Sequence, residues 1–204
     1  CVITGVTLPG TPAVIAGSNG AIAWAFTNAE VDASDLVQIE TITDAPEMYR
    51  TPGGPRAIER VVERIDVHGR PPDSLVIETT LWGPIVDRDV LGRRRALHWT
   101  AHDPGAVNLD VVRLERAASV SDALDIAPQC GIPAQNMLVV DRSGHIAWTL
   151  AGRLPERTGF DGRRPASWAD GTRRWTGWLD AASYPRQVDP ATGCLWTANQ
   201  RCVG

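Results

Sequence analysis

Asp32 and Asp35 stand three residues apart in "AEVDASD", directly after the alternating stretch "AIAWAFTN". Two carboxylates at this spacing can work as a pair, but a bare Asp-x-x-Asp is usually a solvated turn. A second candidate is Cys1, which carries a thiol and an α-amine on one residue. That combination supplies a nucleophile and its own base. The other cysteines, Cys130, Cys194 and Cys202, complete no Cys-x-x-Cys spacing, so neither a zinc site nor a dithiol redox pair is indicated. Ordinary thiols are expected, although Cys194 and Cys202 are close enough in sequence to bridge across a hairpin. All 20 basic residues are Arg. Without Lys there is no ε-amine for Schiff-base chemistry.

The frame for these groups is a chain of 204 residues, 43% hydrophobic and 22% charged. This is enough for one domain, 1–204, with a sizeable core. A net charge of −4 with no basic patch argues against nucleic acid as a partner. No window approaches the roughly eighteen apolar residues of a membrane-crossing helix. No charged and apolar leader precedes the first strand, so no export signal is expected within the chain.

Strand patterns dominate. "AIAWAFT" places Ile22, Trp24 and Phe26 on one face and Ala21, Ala23 and Ala25 on the other, a small face that lets another layer approach closely. Further strands are expected at 36–42, 58–68, 74–83, 95–101, 136–150 and 194–200. Asn19-Gly20 and Ser143-Gly144 read as hairpin turns that take positive φ angles. Between 106 and 130, "VNLDVVRLER" and "SVSDALDIA" have helical spacing, with Ser119 or Ser121 as N-cap. The stretch 152–178, rich in Gly, Arg and Trp, reads as a long irregular loop pinned by Trp168, Trp175 and Trp178.

"TLPGTPAVIAGSNGAIAWAFTN" (7–28), "LWGPIV" (81–86), "GHIAWTLAGRLPER" (144–157), "WTGWL" (175–179) and "DPATGCLWTANQR" (189–201) resemble, in order and spacing, the central part of the β-chain of the penicillin acylase family. The resemblance implies an α+β fold, the four-layer αββα sandwich of N-terminal-nucleophile hydrolases, present here as a strand-rich fragment with one or two helices. It implies hydrolysis of a linear amide: the acyl side chain of a β-lactam, an acyl-homoserine lactone or a related N-acyl compound. The precursor would cut itself to expose a Ser whose α-amine is its base, a group with ordinary pKa near ~8 and so well matched to neutral pH.

By the same resemblance, the backbone N–H of Asn28 and the side-chain amide of Asn199 would hold the oxyanion of the tetrahedral intermediate. Gln135 and Met137, in "GIPAQNMLVV", would line the acyl pocket. Calcium is implied as a structural ion, with Asp32 and Asp35 as carboxylate ligands and the backbone oxygens of Ser34 and Gly162 beside them, the hard-oxygen set that ion prefers. No organic cofactor is implied. The motif "LPGTP", placed well inside the family's β-chain, begins here at Leu8, so the catalytic Ser would lie upstream and the fragment alone would be inactive. Its partners would be the N-acyl substrate, the small α-chain and the rest of the β-chain, in the periplasm or outside the cell. Two alternatives stand beside this reading: Cys1 as the nucleophile itself, or a catalytically silent β-rich module whose Trp residues line a ligand pocket.

Overall fold

Gly20 and Gly144 have φ of 84° and 89°, and each closes an antiparallel hairpin, Ala16–Ser18 with Ile22–Asn28 and Gln135–Asp141 with Ile146–Ala151. Asn19 and Ser143 are not in the positive-φ region, so the expectation that both residues of each turn take it is corrected. Asn19 acts through its side chain instead. Its Oδ1 accepts from the N–H groups of Ala21 and Ile22, and its Nδ2 donates to the carbonyls of Leu114 and Ala117. One short amide thus fastens the turn to the helical segment beside it.

The computed structural model describes residues 2–202, and Cys1 lies outside them. The chain forms two compact units. One comprises the chain up to Ala33, Asp103–Pro155 and everything from Trp178 on; the other comprises Ser34–His102 and Glu156–Gly177.

The first unit holds a six-stranded antiparallel sheet in the order Thr4–Val6, Ala16–Ser18, Ile22–Asn28, Gln135–Asp141, Ile146–Ala151, Arg186–Val188. One face carries Ile22, Trp24, Met137, Val139 and Ala147 into a core shared with Leu114, Val120, Ala123 and Leu124. The alternation expected of Ile22, Trp24 and Phe26 is therefore realised, and a helix supplies the layer that covers them. That helix, Val120–Ile126, starts at Ser119, whose hydroxyl accepts from Asp122 N–H while the Asp122 carboxylate accepts from Ser119 N–H. This reciprocal box satisfies two otherwise orphaned donors. The upstream stretch Asp110–Arg116 is a 3-10 helix, not the α-helix its spacing suggested.

Cys130 is wholly buried in the same core, and burial pushes its thiol up to about 12. A thiol so rarely ionised is a poor nucleophile. Native protein treated with iodoacetamide at neutral pH is expected to be alkylated at the exposed Cys194 and Cys202 and spared at Cys130, read by peptide mass. All three are free thiols, so no bridge joins Cys194 to Cys202.

The second unit is built on a sheet ordered Ala166–Ser167, Ser34–Gln38, Arg94–Trp99, Gly83–Arg88, Asp73–Thr80, Glu59–Ile65. The first pair is parallel and the rest antiparallel. Its core joins Val37, Ile39, Tyr49, Trp82, Ala96 and Trp168, with Phe160 and Trp175 packed against them. Trp168 and Trp175 therefore pin the stretch 152–178, as expected, although that stretch also contains the strands Pro155–Thr158, Ala166–Ser167 and Arg174–Trp178. No helix among the described residues is long and apolar enough to cross a membrane.

Candidate functional site

The strand Ile22–Asn28 ends where its cross-strand partner begins, with Asn28 opposite Gln135. A third segment meets them there. Residues 194–200, expected as a strand, form no ladder. The segment does not extend the sheet at either edge strand, Thr4–Val6 or Arg186–Val188; its start, Cys194 and Leu195, lines a groove together with Ala23 and Ala25 of the small face. Its backbone is held by side chains and single bonds: Thr27 Oγ1 donates to Ala198 O at 2.9 Å, and Gln200 N donates to Asn28 O at 3.1 Å.

This threading brings Asn28 and Asn199, 171 residues apart in sequence, into direct contact. The Asn28 N–H donates to Asn199 Oδ1 at 2.9 Å, and both residues are exposed. The Gln135 Nε2 donates to Asn28 Oδ1 at 3.0 Å, so Gln135 belongs to the same cluster. Met137 does not: it is 0% exposed and sits among the core residues on the helix-covered face, where it fills volume and lines no open pocket.

In the resting arrangement the Asn28 N–H is already taken by the Asn199 carbonyl oxygen. For both residues to donate to one incoming oxygen, the Asn199 amide must turn about its terminal torsion, which is broad and nearly two-fold in Asn. The arrangement can therefore open into two N–H donors, at the cost of the hydrogen bond that now joins them.

Asn136, missed in the sequence, joins this cluster from below. It is 0% exposed, its Nδ2 reaches the carbonyls of Asn28, Ala198 and Gln200 at 3.2, 3.4 and 3.0 Å, and its Oδ1 accepts from Trp148 Nε1 at 3.1 Å. The available signal was a polar residue inside the apolar run "NMLVV". Farther back on the same sheet face, Ala23, Ala25, Leu138, Val140, Ile146 and Leu195 line a groove of about 430 Å³.

The acidic loop resolves differently. Asp32, in the first unit, accepts from Arg201 Nη2 at 2.7 Å and from Arg201 Nη1 at 3.4 Å, while Arg201 Nε donates to the Glu30 carbonyl. Ser34, Asp35 and Gly162 belong to the second unit. There Asp35 is buried, and its Oδ2 accepts from Arg157 Nε at 2.8 Å and from the Trp175 indole. Gly162, at φ 78°, lies against it: a Cβ there would stand 3.1 Å from Asp35 Oδ1 and 2.8 Å from Arg157 Nε. Ser34 pairs across the sheet with Trp99.

Tested against calcium, the set of Asp32, Ser34, Asp35 and Gly162 does not fit as it stands. Each carboxylate is matched by an arginine of its own unit, which cancels the negative charge a divalent ion needs. Among the described residues, no three His, Cys, Asp or Glu side chains cluster to hold a metal.

The comparisons with known proteins agree with the motif order. The chain is 28% identical to an acyl-homoserine lactone acylase, QuiP, of Pseudomonas aeruginosa, and 30% identical to its counterpart in Pseudomonas fluorescens, in each case over 98% of this chain. It is 29% identical to a penicillin acylase 2 proenzyme from a Pseudomonas species, again over 98% of the chain. The chain spans about a quarter of the length of these curated relatives. A thermostable penicillin G acylase from Alcaligenes faecalis superimposes with a TM-score of 0.81 at 26% identity, covering 94% of this chain and 35% of that one. The fold is thus the α+β fold expected of N-terminal-nucleophile hydrolases. With the Penicillin amidase family model matching residues 2–204 as well, this chain belongs to the penicillin amidase family.

Proposed function

We propose that the chain is the central part of an amidohydrolase that cleaves a linear amide through an N-terminal nucleophile carried upstream of it. The observation that carries this reading is the contact between the Asn28 N–H and the Asn199 amide. The nucleophile's α-amine takes the hydroxyl proton, the oxygen adds to the amide carbon, and the carbonyl oxygen becomes an oxyanion. Asn28 donates to it from the backbone, and Asn199, its amide turned, donates through Nδ2. With the turn made as substrate binds, both donors are in place before the charge develops and stabilise it without further reorganisation. The protonated α-amine returns that proton to the amide nitrogen as the C–N bond breaks, the amine product leaves, and water then releases the acyl group from the nucleophile.

The substrate class is an N-acyl compound with an apolar acyl part, of the kind named for the acyl-homoserine lactone and penicillin acylases among the relatives. The partners are the small chain and the remainder of the large chain of one precursor, working outside the cytoplasm. The apolar groove favours one competing reading, a silent module that holds such a compound unchanged.

One experiment separates the two. The complete natural gene product is mapped by intact mass and N-terminal sequencing, then incubated with an acyl-homoserine lactone and with penicillin G while the released acid is followed. A cut upstream of this chain together with acid release supports the amidohydrolase. Binding with no release supports the silent module, and a cut directly before Cys1 makes that residue the nucleophile.

A further inference from the structure

A side-chain amide buried completely in a sheet is costly unless every polar atom is bonded. Directly opposite Asn136 on its face of the sheet stand Thr27 and Leu150, with Ala25 and Leu138 alongside, so the surroundings offer mostly apolar contact and one hydroxyl that is itself turned to Ala198 O. Asn136 stands there with a complete set of partners. Trp148 Nε1 can only donate, so its bond to Asn136 Oδ1 settles the orientation of the amide and turns the NH2 group toward backbone.

That NH2 group is aimed at three carbonyls. Two flank Asn199, those of Ala198 and Gln200, and the third belongs to Asn28. A single buried side chain therefore joins the carbonyls of the residues before and after one oxyanion donor to the residue that provides the other. Segment 194–200 has no ladder to fix its height above the sheet, so its position rests on this tether together with the Thr27 hydroxyl and the Gln200 N–H.

We infer that Asn136, oriented by Trp148, is a positioning residue that sets the distance and direction of the two oxyanion donors, an assignment that rests on the function proposed above. It does not touch the reacting atoms. It acts on the rate because catalytic groups displaced by about 1 Å can cost 10²-fold.

The test uses the complete gene product. Asn136→Ala is expected to lower kcat at least about tenfold and toward 10²-fold, with KM within about threefold of wild type. Placed in an Asn199→Ala background, the same change is expected to lower kcat further by less than about threefold, because one of the two donors it positions is already gone and only the Asn28 N–H is left to displace. A kcat within about twofold of wild type, a KM that rises as much as kcat falls, or the full loss repeated in the Asn199→Ala background overturns the assignment. Should Asn136→Ala not accumulate in folded form, Trp148→Phe decides. It keeps an apolar ring and removes only the orienting N–H, and is expected to lower kcat several-fold at constant KM; an unchanged kcat overturns the proposal. A gene product that cleaves no amide takes both readings down, whereas normal cleavage with an unaffected Asn136→Ala overturns this one alone.

Discussion

Asn199→Ala in the complete gene product is expected to lower kcat by about 10²–10³-fold, the usual cost of removing one oxyanion donor, while KM moves little. The separation follows from when the interaction is made. In the resting protein the Asn199 amide oxygen accepts from Asn28 N–H, and its NH2 group has no oxyanion to serve until the carbonyl carbon is attacked. An interaction present only in the transition state changes kcat and leaves ground-state binding alone. Asn199→Asp sharpens the test. A carboxylate can still accept from Asn28 N–H but offers no donor and repels a developing negative charge, so its loss should equal or exceed that of alanine. Steady-state kinetics on the acyl substrate read both variants, and a kcat near wild type in either would remove Asn199 from the oxyanion hole.

The second large effect is on stability. Asp35→Ala is expected to destabilise the protein by about 3–5 kcal/mol, because it leaves the guanidinium of Arg157 without its buried carboxylate. The Trp175 indole N–H loses its acceptor in the same change. Asp35→Asn, which keeps an oxygen for the indole but no charge for Arg157, should fall between. The urea midpoint reads both. Wild type and variants are also measured with and without a calcium chelator: the ion-pair account expects the same midpoints in both conditions. A wild-type midpoint that falls on chelation, with no such fall in Asp35→Ala, would show that calcium and not Arg157 is the working partner of that carboxylate.

Much of the site was legible only in halves. "AIAWAFTN" announced its strand through period-two alternation, and Gly20 its turn, because both are local consequences of backbone sterics and side-chain size. The helix at Val120–Ile126 was equally local, since Ser119 and Asp122 form their capping box within one turn. The segment around Asn199 was misread as a strand because "CLWTANQ" has the composition of one. Composition does not say whether a segment will join a ladder, and this one is held over a face of the sheet by side-chain bonds from Thr27 and Asn136. The burial of Met137 was hidden for a related reason. Alternation along Gln135–Asp141 separates two faces, but nothing in the run itself says that the helix covers the face of Met137 and segment 194–200 the face of Asn136.

By itself, the sequence determined the family and the strand-rich character and singled out Asn28 and Asn199 as candidates, because ordered motifs and residue periodicity are properties of the chain read in line. Tertiary structure alone decided that Asn28 N–H meets Asn199 Oδ1, that Asn136 ties both together, and that Asp35 is spent on Arg157. These are contacts between residues more than sixty positions apart. Their geometry depends on which strands pair and which segment crosses which face, and no local preference encodes that choice.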